Sequence, residues 1–467
     1  MPGTDLPGPG LQPWAGEDQA LTALENALAA AGTDHAEIFV AARTGDHTRF
    51  AGERVHQPQT IIECQVMVRA VAGTGSARVA VSSLAGAREA VAAASDLARR
   101  RDGAAGPGGR PHGVAGPSPI PGTAGLCHDS TLAWDAGARS ALAGRIMDAA
   151  RPAGVSAAGV LTAAITELAV VTSAGQRCYA AATEAGFSLT ARAGEASSYA
   201  ADLGRDAGAL SVEERAEAAV SQAAAAGTPV PVPDGVHDVV FGGLATAELI
   251  GFLPDLGFTG PAAAAGIGLA ATRPGAVLAP AGITVADDAT AGAGLPFPFD
   301  CEGTPKQRVE LIAAGRAGGA VSDLASARAT GGHSTGHAHI ARESSPAPEA
   351  ANLIMMPGAA SEAGLIAGVE RGLYIQRLWY NRLVDAEAGT VVGTSRDGCF
   401  LIEDGKLTAG LMTGRFTESV LGALARTDGI GSRLISLPVP NVWNGCSSAP
   451  AIRVRGFRFG SRPEKGA

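Results

Sequence analysis

The chain has 467 residues, of which 46% are hydrophobic and 17% are charged, a composition typical of a folded globular protein long enough for two or three domains. Its formal net charge is −9, which argues against nucleic acid or anionic lipid as a partner, because binding to phosphate groups requires a basic surface. The sequence has no apolar run of the roughly 18 residues that a membrane helix needs, and its six cysteines are scattered without a CxxC pair, so we expect a cytoplasmic protein with reduced thiols.

The N-terminal segment is predicted to be a tail followed by a helix. Residues 1–20 carry neither the basic region nor the apolar region of a signal peptide, and we expect them to be flexible. Asp18 is the predicted N-cap of a helix whose apolar face carries Leu21, Leu24 and Leu28.

The clearest strand pattern covers residues 61–71. Apolar side chains alternate there with Glu63, Gln65 and Arg69, and a period of two is typical of an antiparallel strand with one face buried and one in solvent. Arg69 is therefore expected on the solvent face. Further elements are predicted as strands over 35–42 and 77–82 and as a helix over 84–101.

A second set of helices and strands follows a linker. Residues 102–126 are rich in glycine and proline and are predicted to form a long loop. The elements after it are predicted as a helix over 136–151, strands near 155–172 and 177–193, and a helix near 212–226.

The main domain boundary is predicted at TPVPVPDG, residues 228–235, where all periodicity breaks. We expect an N-terminal domain at 21–228 and a C-terminal domain at 229–467, which opens with a strand at 236–242 and a helix near 244–253. Short apolar strands then alternate with turns. This order predicts the α+β class, with a helix-flanked antiparallel or mixed sheet in the N-terminal half and a β-rich C-terminal half.

The segment GGHSTGHAHI, residues 331–340, contains a Gly-His-Ser-Thr-Gly sequence that matches the pattern of a hydrolase nucleophile elbow. Such an elbow needs a buried strand before the serine and a triad histidine later in the chain. The preceding residues are not strand-like, and the last histidines, His337 and His339, lie only three and five residues after Ser334. A serine hydrolase is therefore not favoured.

A metal site is the second interpretation of this segment. His333, His337 and His339 could coordinate zinc if they converged, but the flanking glycines argue against a helix that would bring them together. The favoured interpretation is a glycine-rich loop whose polar groups make hydrogen bonds. The dinucleotide pattern at 265–275 lacks its third glycine, and no HExxH or HExxxH motif is present.

Several stretches, taken in order, resemble the TldD/PmbA family, once described as modulators of DNA gyrase and now regarded as peptidases. The resemblance extends from about residue 20 to 460. The stretches that carry it are AEIFVAARTGDHTRFAGERVHQ, VMVRAVAGTGSARVAVSSL, ITVADD, DCEGTPKQRVELIAAG, STGHA, NLIMMPG, RGLYI, DGCFLIEDGKL, GRFTESVLGAL and IRVRGF.

The resemblance implies one of two kinds of subunit. One kind carries HExxxH on a helix and binds a catalytic zinc through two histidines and a distant cysteine. The other kind, PmbA-like or TldE, lacks the motif and pairs with the first around a cavity for unfolded peptides. In this chain the corresponding helix reads ATAELIGFLPDL. Glu248 stands at the glutamate position, but Ala247 and Phe252 flank it, and Cys446 is not a convincing match for the cysteine ligand.

The resemblance therefore predicts a PmbA/TldE-like subunit with no metal site and no catalytic residue of its own. We expect His333, Ser334, Thr335, Gly336 and His337 to bind an extended peptide substrate. The implied partner is a TldD-like zinc subunit or a second copy of this chain, and zinc is expected in the partner. Neither nucleic acid nor a membrane is expected as a partner, and arginine-rich, lysine-poor usage indicates a GC-rich bacterial genome.

Two alternatives remain open from the sequence. One is a self-sufficient homodimeric metallopeptidase with a metal on His333, His337 and His339. The other is a peptide-binding module that performs no hydrolysis.

Overall fold

A computed structural model gives the structure of the protein and describes residues 11, 15–103, 111, 113–122, 125–339, 347–439 and 445–460. The expected tail at 1–20 and the loop at 102–126 lie partly outside these residues. Among the described helices, none has the length and apolar character needed to cross a membrane.

In the N-terminal half, the described residues form five α-helices and six strands. In chain order they are α1 (Glu17–Leu28), β1 (His35–Ala51), β2 (Arg54–Ala72), β3 (Gly75–Val81), α2 (Ala87–Arg100), α3 (Asp129–Leu132), α4 (Ala136–Ala150), β4 (Ser156–Thr172), β5 (Arg177–Ala193), β6 (Ala196–Gly204) and α5 (Val212–Ala225). The predicted helices and strands of this half are all present, and β6 is an additional strand that the sequence pattern did not predict.

The C-terminal half is built mainly from short strands. Its elements, as far as the structure describes them, are β7 (Gly235–Phe241), α6 (Gly243–Ile250), α7 (Gly260–Ala264), α8 (Leu269–Thr272), β8 (Val285–Asp287), β9 (Val309–Ala313), β10 (Arg316–Ala317), α9 (Leu324–Thr330), β11 (Ala338–His339), β12 (Ala347–Pro348), β13 (Asn352–Met355), α10 (Glu362–Ala367), β14 (Arg371–Ile375), β15 (Leu378–Asp385), β16 (Thr390–Ser395), β17 (Cys399–Glu403), β18 (Lys406–Gly410), β19 (Arg415–Ser419), α11 (Val420–Ala425), β20 (Thr427–Ile430), β21 (Ile435–Pro438), β22 (Cys446–Ala449) and β23 (Ile452–Phe459).

Helix α1 begins two residues earlier than predicted. Its N-cap is Gly16 rather than Asp18. Glycine has no side chain that could accept a hydrogen bond from the first turn of the helix. Glu167 on β4 accepts the N–H groups of Ala15 and Gly16 at 3.0 and 2.8 Å. A carboxylate from a distant strand therefore fixes the start of this helix, which local sequence could not indicate, and the helix occupies the last residues of the range expected to be tail.

The N-terminal strands form one antiparallel sheet in the order β3-β2-β1-β4-β5-β6. Apolar side chains from one face pack against α1, α2, α4 and α5. The other face, which alternates with it because successive side chains point to opposite sides of a strand, meets Phe297, Phe299 and Cys301 of the C-terminal half at one end. The remaining part of this second face borders a groove.

The C-terminal strands form two larger sheets. One has the order β10-β9-β8-β13-β22-β21, and the other follows the path β15-β16-β19-β23-β7-β14-β17-β18, with β20 beside β23. Pairing is antiparallel except between β13 and β22 and between β14 and β7. The α+β class is thus confirmed, and each of these sheets draws its strands from one half of the chain. The exact domain limits remain a prediction.

Arg69 corrects one expectation for the N-terminal sheet. Its side chain is buried rather than solvent-facing, and its guanidinium donates to both carboxylate oxygens of Glu37 at 2.6 and 3.0 Å and to Gly113 O at 2.7 Å. The C-terminal half covers this part of the face, so a charged residue lies in the interior because a matching carboxylate accompanies it.

Candidate functional site

The histidine-containing loop lies between α9 and β11 and is held by the segment around Ser322. The Ser322 N–H donates to Thr335 Oγ1 at 2.7 Å, and the Thr335 N–H donates to Ser322 Oγ at 3.1 Å. The Ser334 hydroxyl donates to Ser322 O at 3.3 Å and accepts the Gly336 N–H at 3.1 Å. These bonds commit the Ser334 hydroxyl to the loop itself, and none of them activates it as a nucleophile.

Gly336 brings the same loop against the chain at Pro305. Its φ is 74°, in the left-handed region, and a Cβ built on it would lie 2.3 Å from Pro305 O. Both the conformation and the close approach require glycine. His333 is exposed, whereas Ser334, Gly336 and His337 are buried.

His337 belongs to a fully buried polar network. Its Nδ1 lies 2.9 Å from Thr335 Oγ1, and its Nε2 lies 2.9 Å from Asp287 Oδ1. Lys306 Nζ is 3.6 Å from the same oxygen, and the Asn352 N–H donates to Asp287 Oδ2 at 2.8 Å. Both ring nitrogens of His337 therefore face protein groups.

Charge in this network is carried by Lys306 and Asp287. Burial opposes ionisation of Asp287, but Lys306 and His337 outweigh it and hold its pKa well below its usual range. Burial, together with the nearby Lys306, lowers the pKa of His337. The lowered pKa favours the neutral imidazole, which lies between Thr335 and the carboxylate of Asp287.

A buried acidic loop, residues 300–304, joins this network to the N-terminal sheet. Asp300 accepts the N–H groups of Glu302, Thr304 and Ala338 at 3.0, 2.9 and 2.9 Å. Gln176 of the N-terminal half donates to Gly303 O at 2.7 Å. Burial raises the pKa of both Asp300 and Glu302. These two carboxyls therefore bind protons more readily than ordinary carboxyls do, which lowers the cost of burying them.

A groove of about 470 Å³ lies over the uncovered part of the N-terminal sheet. This volume lies within the range of roughly 300–1,000 Å³ that is usual for ligand sites. Its floor carries Arg43 and Glu184, whose side chains pair at 2.9 Å and are mostly buried. Its roof is the end of β21 together with Val439 and Gly445. The remaining floor residues on the same face are Val160, Thr162, Gly186, Ser188, Tyr199, Ala201 and Leu203.

The groove ends where two edge strands meet. β6 is the last strand of the N-terminal sheet, and β21 is the last strand of a C-terminal sheet. Asp202 Oδ1 accepts the N–H groups of Leu203 on β6 and Ser436 on β21 at 3.0 and 2.9 Å, while Oδ2 lies 2.8 Å from Arg215 Nη2 on α5. One carboxylate thus holds the two sheet edges together.

Helix α6 packs beside β21 and β22 and is the helix that the resemblance aligns with the zinc-binding helix. Asn381 Nδ2 on β15 donates to Glu248 Oε2. Burial raises the pKa of Glu248 to about 7, against the opposing effects of Asn381 and Arg377. Ala247 is buried among apolar side chains. Glu248 is thus a carboxyl that changes protonation near neutral pH.

The donor set at α6 does not fit zinc. The helix offers Glu248 alone, whose carboxylate already accepts from Asn381. Cys446 is buried against Leu203 and Leu295, with its Sγ 3.8 Å from Ser448 Oγ. In the part of the chain that the structure describes, no three side chains of His, Cys, Asp or Glu form a group that could hold a metal ion.

The predicted substrate-binding residues and the groove are different parts of the molecule. The structure brings Ser334, Thr335, Gly336 and His337 together, but it directs their polar groups to Ser322, Pro305 and Asp287. Their role in substrate binding remains a prediction. The groove residues Arg43, Glu184, Tyr199 and Asp202 carry no motif, and of these Glu184 alone lies within a predicted strand, the one near 177–193.

The fold and groove define a two-part α+β protein whose N-terminal sheet faces a groove. The pattern of the PmbA/TldA metallopeptidase C-terminal domain matches residues 234–461. No curated protein sequence matches the chain significantly.

Solved structures with the same fold include TldE from Thermococcus kodakarensis, with a TM-score of 0.82, 20% identity, and 95% of this chain and 99% of that chain covered. A protein from Thermotoga maritima, described as a candidate modulator of a DNA gyrase, has a TM-score of 0.79 and 15% identity, with 94% and 99% covered. A protein from Bacteroides thetaiotaomicron with a similar description has a TM-score of 0.76 and 16% identity, with 95% and 99% covered.

Residues 234–461 therefore belong to the TldD/PmbA family as its C-terminal domain. The domain match covers the C-terminal half, and the fold matches extend over nearly the whole chain.

Proposed function

We propose that this chain is the PmbA/TldE-like, non-zinc subunit of a TldD/TldE-type metallopeptidase complex. A TldD-like partner with HExxxH would supply zinc and the water-activating glutamate. This chain would supply part of the wall of the cavity in which an unfolded peptide is held.

The observation that carries this proposal is the groove between the N-terminal sheet and β21. β21 is an edge strand, and its last residue is Pro438, which has no N–H and is typical of sheet edges. The Ser436 N–H on this edge is already donated to Asp202, so an extended peptide would bond to the carbonyl groups of β21 while its side chains enter the groove. A site that binds mainly backbone suits unfolded chains of varied sequence.

The absence of a fitting donor set at α6 supports the non-catalytic role. Ala247, which is buried, and Phe252, which is half-buried, occupy the positions at which two histidines would be needed to coordinate a metal ion. We therefore assign no catalytic residue to this chain, and zinc is expected in the partner.

Co-expression with a TldD-like, HExxxH-containing chain tests this proposal. We expect the purified pair to cleave an unfolded peptide such as reduced, carboxymethylated lactalbumin, with neither chain active alone. Cleavage by this chain alone would contradict it. Binding of the peptide without cleavage by the pair would favour the non-hydrolytic peptide-binding module.

A substitution in the groove links the activity to this chain. Ser188 lies on the groove floor, and Ser188→Trp would fill the space with an indole. We expect the complex to form but to cleave at least tenfold more slowly through weaker substrate binding. Ala80→Trp, at an exposed position of β3, is the matched control and should leave cleavage unchanged.

The self-sufficient metallopeptidase remains the second candidate, with a metal on His333, His337 and His339. The orientation of His337 toward Asp287 and Thr335 does not favour it. Metal analysis of the purified chain tests it directly. Stoichiometric zinc that is lost in the exposed-site variant His333→Ala would favour this candidate over the accessory subunit.

A further inference from the structure

Two arginines and two aromatic rings stack into a ladder at one end of the groove. Arg377 Cζ lies 4.0 Å from the ring centroid of Tyr199 and 4.6 Å from that of Trp379, so its guanidinium sits between the two rings. Arg396 Cζ lies 5.0 Å from the Trp379 ring. We call Tyr199, Arg377, Trp379 and Arg396 the rim ladder.

The rim ladder carries more positive than negative charge. Asp397 Oδ2 lies 3.3 Å from Arg377 Nη1 and 3.5 Å from Arg396 Nε, and its Oδ1 accepts from Ser197 Oγ at 2.8 Å. Among the described residues, Asp397 is the acidic side chain within ion-pair distance of either arginine. One carboxylate at long distances thus faces two guanidiniums, with Glu248 as a further acidic neighbour of Arg377, in a chain whose net charge is −9.

Stacking determines how these guanidiniums meet a ligand. Contact with an aromatic ring occupies the flat face of the group and leaves the N–H edge free, and an arginine has five N–H donors arranged as a fork. Holding Arg377 between two rings also fixes its orientation before any ligand arrives, which reduces the entropy lost on binding. A fixed fork of donors matches the two oxygens of a carboxylate.

The ladder is continuous with the groove. Tyr199 lines the groove floor, and Gln376 Nε2, one residue before Arg377, donates to Tyr199 O at 3.3 Å. At the outer end, the side chain of Arg396 is 48% exposed. A peptide lying in the groove would therefore reach the ladder at one end.

We propose that the rim ladder is a carboxylate-binding subsite of the groove, so that this chain prefers extended peptides carrying a carboxylate at that end over neutral ones. The carboxylate is either the peptide's own C-terminus or an aspartate or glutamate side chain. This inference rests on the proposed function of the groove as a peptide-binding site.

Fluorescence anisotropy with three labelled peptides of about ten residues tests the inference on the full chain at low salt. All three share one Gly-, Ser- and Val-rich sequence. The first is neutral with a C-terminal amide, the second has a free C-terminal carboxylate, and the third has the amide and one internal glutamate. We expect at least one acidic peptide to bind roughly tenfold more tightly than the neutral one, and the arm that gains affinity identifies the source of the carboxylate.

Variants at the exposed end separate this subsite from a structural role. Arg396→Gln should remove most of the preference for the acidic peptide and leave the neutral peptide's affinity unchanged, and Arg396→Lys should restore part of it. Arg100→Gln, which changes a side chain that is 74% exposed on α2, is the matched control. Thermal unfolding should show that all three variants fold.

The possible failures are distinct. Equal binding of all three peptides, or an equal loss for all three in Arg396→Gln, would overturn the subsite and leave the peptide groove standing. If none of the peptides binds the chain, alone or with its TldD-like partner, the groove proposal itself is overturned.

Discussion

Asp202 Oδ1 accepts the N–H of Ser436 at 2.9 Å, and this bond connects the edge of the N-terminal sheet to the edge of a C-terminal sheet. The same oxygen accepts from Leu203, and Arg215 neutralises the other oxygen. Burial raises the pKa of Asp202, an effect that Arg215 opposes. Burying the Asp202 carboxylate costs desolvation energy. In return it accepts hydrogen bonds from N–H groups on β6 and β21, two strands that do not pair through their backbones.

Replacing Asp202 should separate its role as an acceptor from its charge. Asp202→Ala leaves two N–H groups and the Arg215 guanidinium without their partner, and we expect it to lower the free energy of unfolding by about 3 kcal/mol. Asp202→Asn keeps an oxygen at the same place and should cost about 1 kcal/mol. Urea denaturation measures both values.

The control for this comparison is Asp96→Asn, which breaks an exposed i,i+4 pair with Arg100 and should change stability by no more than about 0.5 kcal/mol. If the Ala and Asn variants of Asp202 were equally unstable, the charge of Asp202 rather than its bridging oxygen would stabilise the contact between β6 and β21.

Glu248 should make the protein less stable as the pH rises. Its pKa is about 7 in the folded chain against 4.5 as the ordinary value, so between these pH values the folded state holds more protons than the unfolded state. The contribution of Glu248 to the free energy of unfolding is therefore at its full value below about pH 4.5. It is lost progressively as the pH rises to 7, and the loss has an upper bound of roughly 3 kcal/mol.

Glu248→Gln removes this dependence while keeping an acceptor for Asn381. We expect the variant to gain about 2 kcal/mol relative to the parent between pH 5 and pH 8, measured as the difference of two denaturation curves at each pH. A stability difference that stays constant across this range would show that Glu248 ionises normally in the folded chain.

Local patterns predicted the elements but not the contacts between distant ones. The strands expected near 155–172 and 177–193 correspond to β4 and β5. β6 was missed because ASSYAADLG is short and poor in β-branched residues, and it forms by pairing with β5 rather than from its own propensity.

The candidate site escaped prediction for the same reason. Arg43 and Glu184, which pair on the groove floor, are 141 residues apart, and no local spacing links them. The histidine-rich loop was conspicuous in sequence, yet its groups bond to Ser322 and Asp287. Residue types revealed that the loop is polar, but only the fold determines whether polar groups face a cavity or one another.

Lys306 and Asp287 should behave as a coupled buried pair. Lys306→Met would leave the ionised Asp287 without its cation, and we expect a loss of about 3 kcal/mol or more in the free energy of unfolding. The double change Lys306→Met with Asp287→Asn should be less unstable than the sum of the two single changes by at least 1 kcal/mol. Strict additivity in this double-mutant cycle would contradict the pairing.

Gly336 and Gly331 offer a matched test of why the histidine loop is rigid. Both have left-handed backbone, with φ of 74° and 71°, but a Cβ at Gly331 meets no atom within 4 Å whereas one at Gly336 would lie 2.3 Å from Pro305 O. Gly331→Ala should therefore cost about 1 kcal/mol for conformation alone, and Gly336→Ala about 2 kcal/mol more, because the backbone of Pro305 must move. Equal losses in chemical denaturation would mean that the loop shifts away from Pro305 at no cost, and the loop would then be free enough to reach a substrate in the way the sequence predicts.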